Sequence, residues 1–216
     1  MQIPESGLWT FKNDEIAQGF DYHVREQLPW YELATDIVNH VVRHYLPNDG
    51  LLYDIGASTG NITLSLKELL ESRNAKAISI DNSENMCKQF KGYGEIVNEN
   101  AENYAYKEFD CAVLFLTLMF LKEKDRKPLL DNLFSKLKKG GCIVVFDKIQ
   151  PKGGYLSIVN SRLALSEKVK MGVSHKEIID KELSLSGVQR PISSEIYCGY
   201  EIIFKYGDFI GFVIEK

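Results

Sequence analysis

The chemistry-bearing stretch of the chain is Asp54-Ile55-Gly56-Ala57-Ser58-Thr59-Gly60, which follows the apolar run 51–55 and precedes the helix-like segment 62–70. A strand that breaks into a tight loop of small residues and then opens a helix is the usual nucleotide-cradling turn of an α/β sheet. A second apolar run, 75–80, ends in Asp81. A carboxylate at a strand tip can accept hydrogen bonds from a ribose diol. Loop and acid together point to a bound adenosine.

The loop also narrows which adenosine. A pyrophosphate-binding loop needs a glycine at its middle position so that the backbone can approach the ligand, and here that position is Ser58. Asp54, two places before Gly56, would repel a phosphate but suits a cation such as the ammonium of an amino-acid tail. S-Adenosylmethionine carries that ammonium and a sulfonium and no phosphate, so it is preferred to NAD. The same residues satisfy G-x-S-x-G, the nucleophile elbow of a hydrolase, with Ser58 as nucleophile and His175 as the downstream histidine. That alternative needs a late strand before the loop and leaves Asp54 and Asp81 without roles. A strand–helix turn that binds nothing is the third reading.

The elements that must position these residues alternate. Strands are expected at 51–55, 75–80, 95–98, 111–116 and 142–147, and helices at 62–71, 84–91 and 126–138. The last helix is expected to close on Lys138-Lys139-Gly140-Gly141, a cationic end with a glycine stop. Residues 20–45 read as helical, with Leu33, Ile37, Val38, Val41 and Val42 as the apolar face, and 151–185 as helical with breaks at Gly153-Gly154 and Gly172. Two β-rich runs, 196–206 and 209–214, meet at Gly207-Asp208 and must pair antiparallel. The expected fold is α/β, a Rossmann-like doubly wound sheet of five parallel strands plus a C-terminal antiparallel hairpin, with helices on both faces. One domain spans 1–216, with a helical cap over 1–50 and a helical insertion over 151–190.

Composition narrows the class. The net charge of −4 supplies no broad basic field for a duplex. No apolar run reaches the ~18 residues of a membrane span, and the first residues lack the order of a signal peptide. Four widely spaced cysteines form no metal pattern, and with Cys111 and Cys142 opening strand-like runs they read as buried thiols. The expected compartment is cytoplasmic.

The chain resembles class I S-adenosylmethionine-dependent methyltransferases, and within them the carboxy-S-adenosylmethionine synthase group and its methyltransferase relatives. The resemblance rests on residues 53–60, Ile80-Asp81-Asn82-Ser83 with Met86, residues 116–121, residues 137–141 and the N-terminal Phe20-Asp21-Tyr22-His23-Val24-Arg25. It implies S-adenosyl-L-methionine as cofactor and S-adenosyl-L-homocysteine as product. It assigns Asp54, Gly56, Ala57, Ser58 and Gly60 to the methionine cradle, with Arg25 on the methionine carboxylate. Asp81 and Asn82 take the ribose and adenine edge, Met86 packs on the ring, Asn100 and Ala101 meet the adenine, and Phe115 and Thr117 line the floor below the sulfonium. His23 and Tyr22 are the candidate catalytic groups, and Trp30 with Tyr31 a candidate aromatic wall.

One departure bears on the donor. The synthases are expected to carry a Lys-Arg-Ser run whose arginine pairs with the extra carboxylate, and the corresponding stretch here is Lys181-Glu182-Leu183-Ser184. Arg190 and Arg25 are the cations that could replace it. Glu182 therefore favours ordinary in-line methyl transfer to a small molecule over the alternative, a carboxy-S-adenosylmethionine synthase or a user of that cofactor linked to tRNA wobble-uridine modification. A non-catalytic binding module is the remaining alternative. The fourth strand lacks an Asn/Asp-Pro-Pro-aromatic motif and there is no Pro-Cys pair, so DNA base methylation is disfavoured. A tRNA acceptor and a homodimer stay open, and no metal or membrane role is implied.

Overall fold

Residues 14–216 are described by the computed structural model, except for the side chains of residues 14–18, 20 and 23. The apolar runs form β1 (Leu51–Ile55), β2 (Lys76–Asp81), β3 (Glu95–Asn98), β4 (Phe109–Phe115), β5 (Leu137–Lys148), β6 (Glu201–Tyr206) and β7 (Phe209–Glu215). They join in one sheet of order β3-β2-β1-β4-β5-β7-β6, parallel from β3 through β5. β7 runs antiparallel to both β5 and β6. The order reverses at β1/β4, and such a switch point opens a crevice beyond the C-terminal strand ends.

Alternation along β4 and β5 divides the core between the two faces. Cys111, Val113, Phe115, Cys142, Val144 and Phe146 face one cluster, and Ala112, Leu114, Ile143 and Val145 the other. Burial on both sides is what an apolar parallel strand reflects. Cys111 and Cys142 are paired in register, with sulfurs 3.9 Å apart, and all four cysteines are free thiols.

Several boundaries differ from the sequence expectation. The N-terminal helical region divides at Leu28-Pro29-Trp30 into α1 (Asp14–Gln27) and α2 (Tyr31–Tyr45), because proline disfavours helical geometry at the residue before it. On α2, Ala34, Val38 and Val42 enter the core while Leu33 points outward. The helix expected at 62–71 is two pieces, α3 (Asn61–Ser65) and α4 (Lys67–Ser72), joined by Leu66 at φ −91°, ψ 0°. The third, α5 (Glu84–Lys88), stops early because the chain turns back to the first loop, where the Lys91 N–H donates to the Thr59 carbonyl at 2.9 Å.

Next, α6 (Glu123–Lys136) passes directly into β5, so the lysines and glycines at 138–141 are strand and not a helix stop. The Gly140 N–H donates to the Lys216 carbonyl at 2.7 Å, and a Cβ on Gly141 would lie 2.4 Å from the Asp110 carbonyl oxygen. Tight backbone approach explains Gly141, and a φ of +80° explains Gly140. In the tail, α7 (Gly154–Lys170) and α8 (His175–Ser184) separate at Gly172, which has φ +89°. The start of the expected strand 196–206 is instead a helical turn, α9 (Ser194–Tyr197), followed by Gly199 at φ +94°.

Candidate active site

The loop after β1 is held in shape by β2. The Gly56 and Ala57 N–H groups both donate to the Ile80 carbonyl, at 2.8 and 3.1 Å. The Ser58 N–H donates to Asp81 Oδ2 and the Ser83 N–H to Asp81 Oδ1, each at 2.8 Å. Two N–H donors fix the Asp81 carboxylate while leaving a lone pair on each oxygen. Burial still raises its pKa, against those two bonds. Gly56 has φ +73°, and a Cβ there would lie 2.5 Å from Thr117 Oγ1. Only glycine fits that place.

Two non-glycine residues beside the loop also adopt left-handed backbone, Ser58 at φ +51° and Leu116 at φ +59°. Such strain is held only where the surroundings over-determine it, and it gathers at functional sites. The Leu116 N–H is fixed by the Phe146 carbonyl at 2.7 Å. Just beyond, Asp147 accepts from the backbone N–H groups of Leu118 (2.7 Å), Met119 (3.3 Å) and Lys148 (2.8 Å). Full burial pushes the Asp147 carboxyl up to about 7 in spite of those donors.

A cavity of about 470 Å³ lies over the C-terminal ends of β1, β2, β4 and β5. Asp54, Gly56, Ala57, Ser58, Asp81, Asn82, Ala101, Phe115 and Thr117 all line it, so these expected site residues are brought together. Asp54 is the unusual member. It is buried, its Oδ2 has no hydrogen-bond partner among the described residues, and burial with the nearby Asp81 charge pushes it up to about 7. A buried carboxylate in a cavity wall, held by the Thr63 backbone and with its other oxygen unpaired among the described residues, is suited to a ligand cation.

Other expected residues stand elsewhere. Met86 is fully buried under the loop and does not line the cavity; Ser58 Oγ donates to its sulfur at 3.4 Å. Asn100 is exposed, outside the wall, and accepts from the Asn82 amide at 3.0 Å. Gly60, at φ +91°, starts α3 behind the loop against Gly92. Arg25 also lies behind the wall. It donates to the Asp21 carbonyl and Asn61 Oδ1 (each 2.8 Å), pairs with Glu32 and lies over the Tyr31 ring at 5.2 Å. With the Thr59 hydroxyl donating to Asp21 Oδ1 at 2.6 Å, it ties α1 to the loop. Tyr22 is 72 % exposed and outside the cavity wall. The His23 side chain lies outside the described residues.

The hydrolase alternative has no geometry behind it. His175 is an exposed residue at the start of α8, outside the cavity wall, and Ser58 is turned to Met86. Arg190 is likewise not in the wall: its backbone N–H donates to the Met119 carbonyl, and its own carbonyl accepts from Arg126.

Sequence reasoning missed Gln27, Lys148 and Lys168 and named Lys181 only as the neighbour of Glu182; all four line the cavity. Glu182 lines it too, but paired to Lys168 at 2.8 Å, and this pairing with the neighbouring lysines holds its carboxyl below the usual range despite its burial. Trp30 and Tyr31 belong to the wall as well, Trp30 against Phe209 (4.7 Å between centroids) and Tyr31 edge-on to Phe115 (5.3 Å). No local signal marks the lysines, because they come from the end of β5, the last turn of α7 and the body of α8.

Comparison with known proteins agrees with this geometry. Residues 52–141 match the methyltransferase domain family. The carboxy-S-adenosyl-L-methionine synthase of Shewanella pealeana is 31% identical over 83% of this chain and 77% of its own length. That of Staphylococcus epidermidis is 27% identical over 96% of this chain and 97% of its own. Among solved structures, the plantazolicin methyltransferase BpumL in complex with SAH superposes with a TM-score of 0.61 at 15% identity, over 94% of this chain and 89% of that one. Human N-acetylserotonin methyltransferase in complex with SAM gives 0.58 at 16% identity, over 99% of this chain and 60% of that one. The cofactor is S-adenosyl-L-methionine, and the chain belongs to the class I S-adenosylmethionine-dependent methyltransferases, in the family of the carboxy-S-adenosyl-L-methionine synthases.

Proposed function

We propose that the chain transfers the methyl group of S-adenosyl-L-methionine, by in-line displacement, to a small molecule held in the same cavity. The observation that carries this reading is the buried Asp54 oxygen, without a partner among the described residues, on a residue that lines the cavity beside Gly56. When bound, the cofactor supplies a methyl group on a positively charged sulfur with a neutral thioether as leaving group. Asp54 holds the ammonium of its amino-acid tail. Asp81, its orientation fixed by the Ser58 and Ser83 N–H groups, accepts from the ribose hydroxyls. Ala101 and Asn82 flank the adenine, and Phe115 with Thr117 forms the floor. Arg25 is a positioning residue that ties α1 to the loop. Displacement at a sulfonium asks little of acid–base groups, and the wall's main task is to hold the acceptor at near-attack distance and exclude water.

The test is incubation with methyl-labelled cofactor and a cell extract separated into small molecules, RNA and protein. Label in the small-molecule fraction is expected. Tight binding with no label in any fraction would make the chain a cofactor sensor instead.

A second reading, formation or use of a carboxylated S-adenosylmethionine, is favoured by two observations. The relatives carry that name, and Glu182 is paired to Lys168 with Lys148 and Lys181 nearby, so that end of the cavity does not repel a carboxylate as the sequence alone implies. Mass spectrometry of the ligand released from the purified protein separates the two readings, since the carboxylated sulfonium is heavier by carbon dioxide.

A further inference from the structure

The junction between α1 and α2 is anchored over β4, β7 and β6. Tyr31 meets Phe115 of β4 edge-on at 5.3 Å, and Trp30 lies against Phe209 of β7 (4.7 Å) and Phe204 of β6 (5.4 Å). Asp54 and Asp81 belong to β1 and β2, so in the sheet order the junction covers the other side of the switch point. Gln27, the last residue of α1, stands at this junction and lines the cavity together with Leu28, Trp30 and Tyr31.

Gln27 is 5 % exposed, and neither its amide oxygen nor its amide nitrogen has a partner among the described residues. Its polar neighbours along the chain are engaged elsewhere. Arg25 pairs with Glu32 and donates to Asn61, and Glu26 bonds the Tyr22 hydroxyl. Val24 and Leu28 beside it offer only apolar side chains. A buried amide with both ends unpaired is a cost that the free protein carries and that a suitable ligand removes. Because the amide holds no hydrogen bond, turning it towards such a ligand breaks none.

The shape of the amide says what that ligand must present. It places N–H donors and a carbonyl acceptor in one plane, so a single group meets both ends when it carries an N–H beside a C=O, as a lactam does. A carboxylate would pair the nitrogen and leave the oxygen bare, and an ammonium would do the reverse. Trp30 and Phe209 supply an aromatic surface in the same wall. We propose that Gln27 is a specificity-determining residue of the acceptor site, and that it selects a flat, uncharged heterocycle presenting a ring N–H next to a ring carbonyl. Gln27 pairs the lactam edge while Trp30 with Phe209 covers the ring, an assignment that deepens the methyl-transfer reading and rests on it.

The experiment is calorimetric titration of the protein saturated with S-adenosylhomocysteine. The probes are carbostyril, a bicyclic aromatic lactam, and N-methylcarbostyril, which keeps the ring and the carbonyl but lacks the donor. Wild-type protein is expected to bind carbostyril at least about tenfold more tightly than its N-methyl counterpart. Gln27→Met keeps the length of the side chain and removes both polar atoms. It should bring the two probes within about twofold of each other while S-adenosylhomocysteine binds within about twofold of wild type, which also shows that the variant folds. Equal binding of the two probes by wild type, or no binding of carbostyril, would overturn the proposal whether or not the variant folds. So would a folded Gln27→Met that still discriminates as wild type does, or one that circular dichroism shows folded but that has lost affinity for S-adenosylhomocysteine, since the amide would then serve the donor. Failure of wild-type protein to bind S-adenosylhomocysteine would overturn the donor reading instead.

Discussion

At the scale of single residues, the two carboxylates of the donor end do different work. Asp81 is satisfied by backbone donors before any ligand arrives, whereas Asp54 carries one oxygen that is not. On the proposed reading Asp81→Ala removes charge-assisted hydrogen bonds to the ribose and should weaken S-adenosylhomocysteine by ~1–3 kcal/mol in calorimetry. Asp54 should instead reveal itself through pH. Its carboxyl is raised to about 7, and only the ionised form attracts an ammonium. Affinity is therefore expected to climb from about pH 5.5 to about pH 7.5, with proton release on binding at the acid end. Asp54→Asn should bind weakly and show a flat profile over the same range. A wild-type profile as flat as that of the variant would remove Asp54 from the cofactor site.

At the scale of elements, the loop between β1 and α3 is sensitive to a single carbon. Gly56→Ala meets both an unfavourable φ of +73° and a Thr117 oxygen at 2.5 Å, so it should cost on the order of 1–3 kcal/mol of stability and most of the cofactor affinity. Thermal melting with and without S-adenosylhomocysteine measures both. This loop was legible in the sequence because its glycines, its serine and its acid are neighbours in the chain. β1 and β3 were legible to the residue, since apolar runs between turn residues leave little choice. The α6–β5 boundary was not. Lys138-Lys139-Gly140-Gly141 reads as a helix end when only neighbours are considered, whereas Gly140 takes φ +80° within β5 and its N–H meets the Lys216 carbonyl from the far end of the sequence. The lysine group was hidden for the same reason, because three elements supply one residue each. Glu182 reads in the sequence as an isolated acid, because a sequence shows the carboxylate but not the Lys168 that answers it.

At the scale of the molecule, buried ionisable groups should shape stability against pH. Asp54 and Asp147 both rise from 3.8 to about 7, so the folded state binds their protons more tightly than the unfolded chain. Their contribution is complete below the unfolded value and is lost as pH rises through about 7. Lys181 falls from 10.5 to about 7, so its penalty is present below that pH and is lifted above it. The ligand-free protein should accordingly melt lowest near neutral pH, and Asp147→Asn should flatten the acid side of that minimum. The two central thiols extend the same reasoning to reactivity. Cys111 and Cys142 lie at the middle of the sheet, their mutual contact and burial push the Cys142 thiol far up, Cys87 is half-buried and Cys198 is exposed. An alkylating reagent should therefore modify Cys198 at once, Cys87 more slowly, and the central pair last, only when β4 and β5 part. The slow phase is a clock for global opening, and any ligand that binds only the folded state slows it in proportion to its occupancy. The protein thus carries its own reporter for testing acceptors before any product is known.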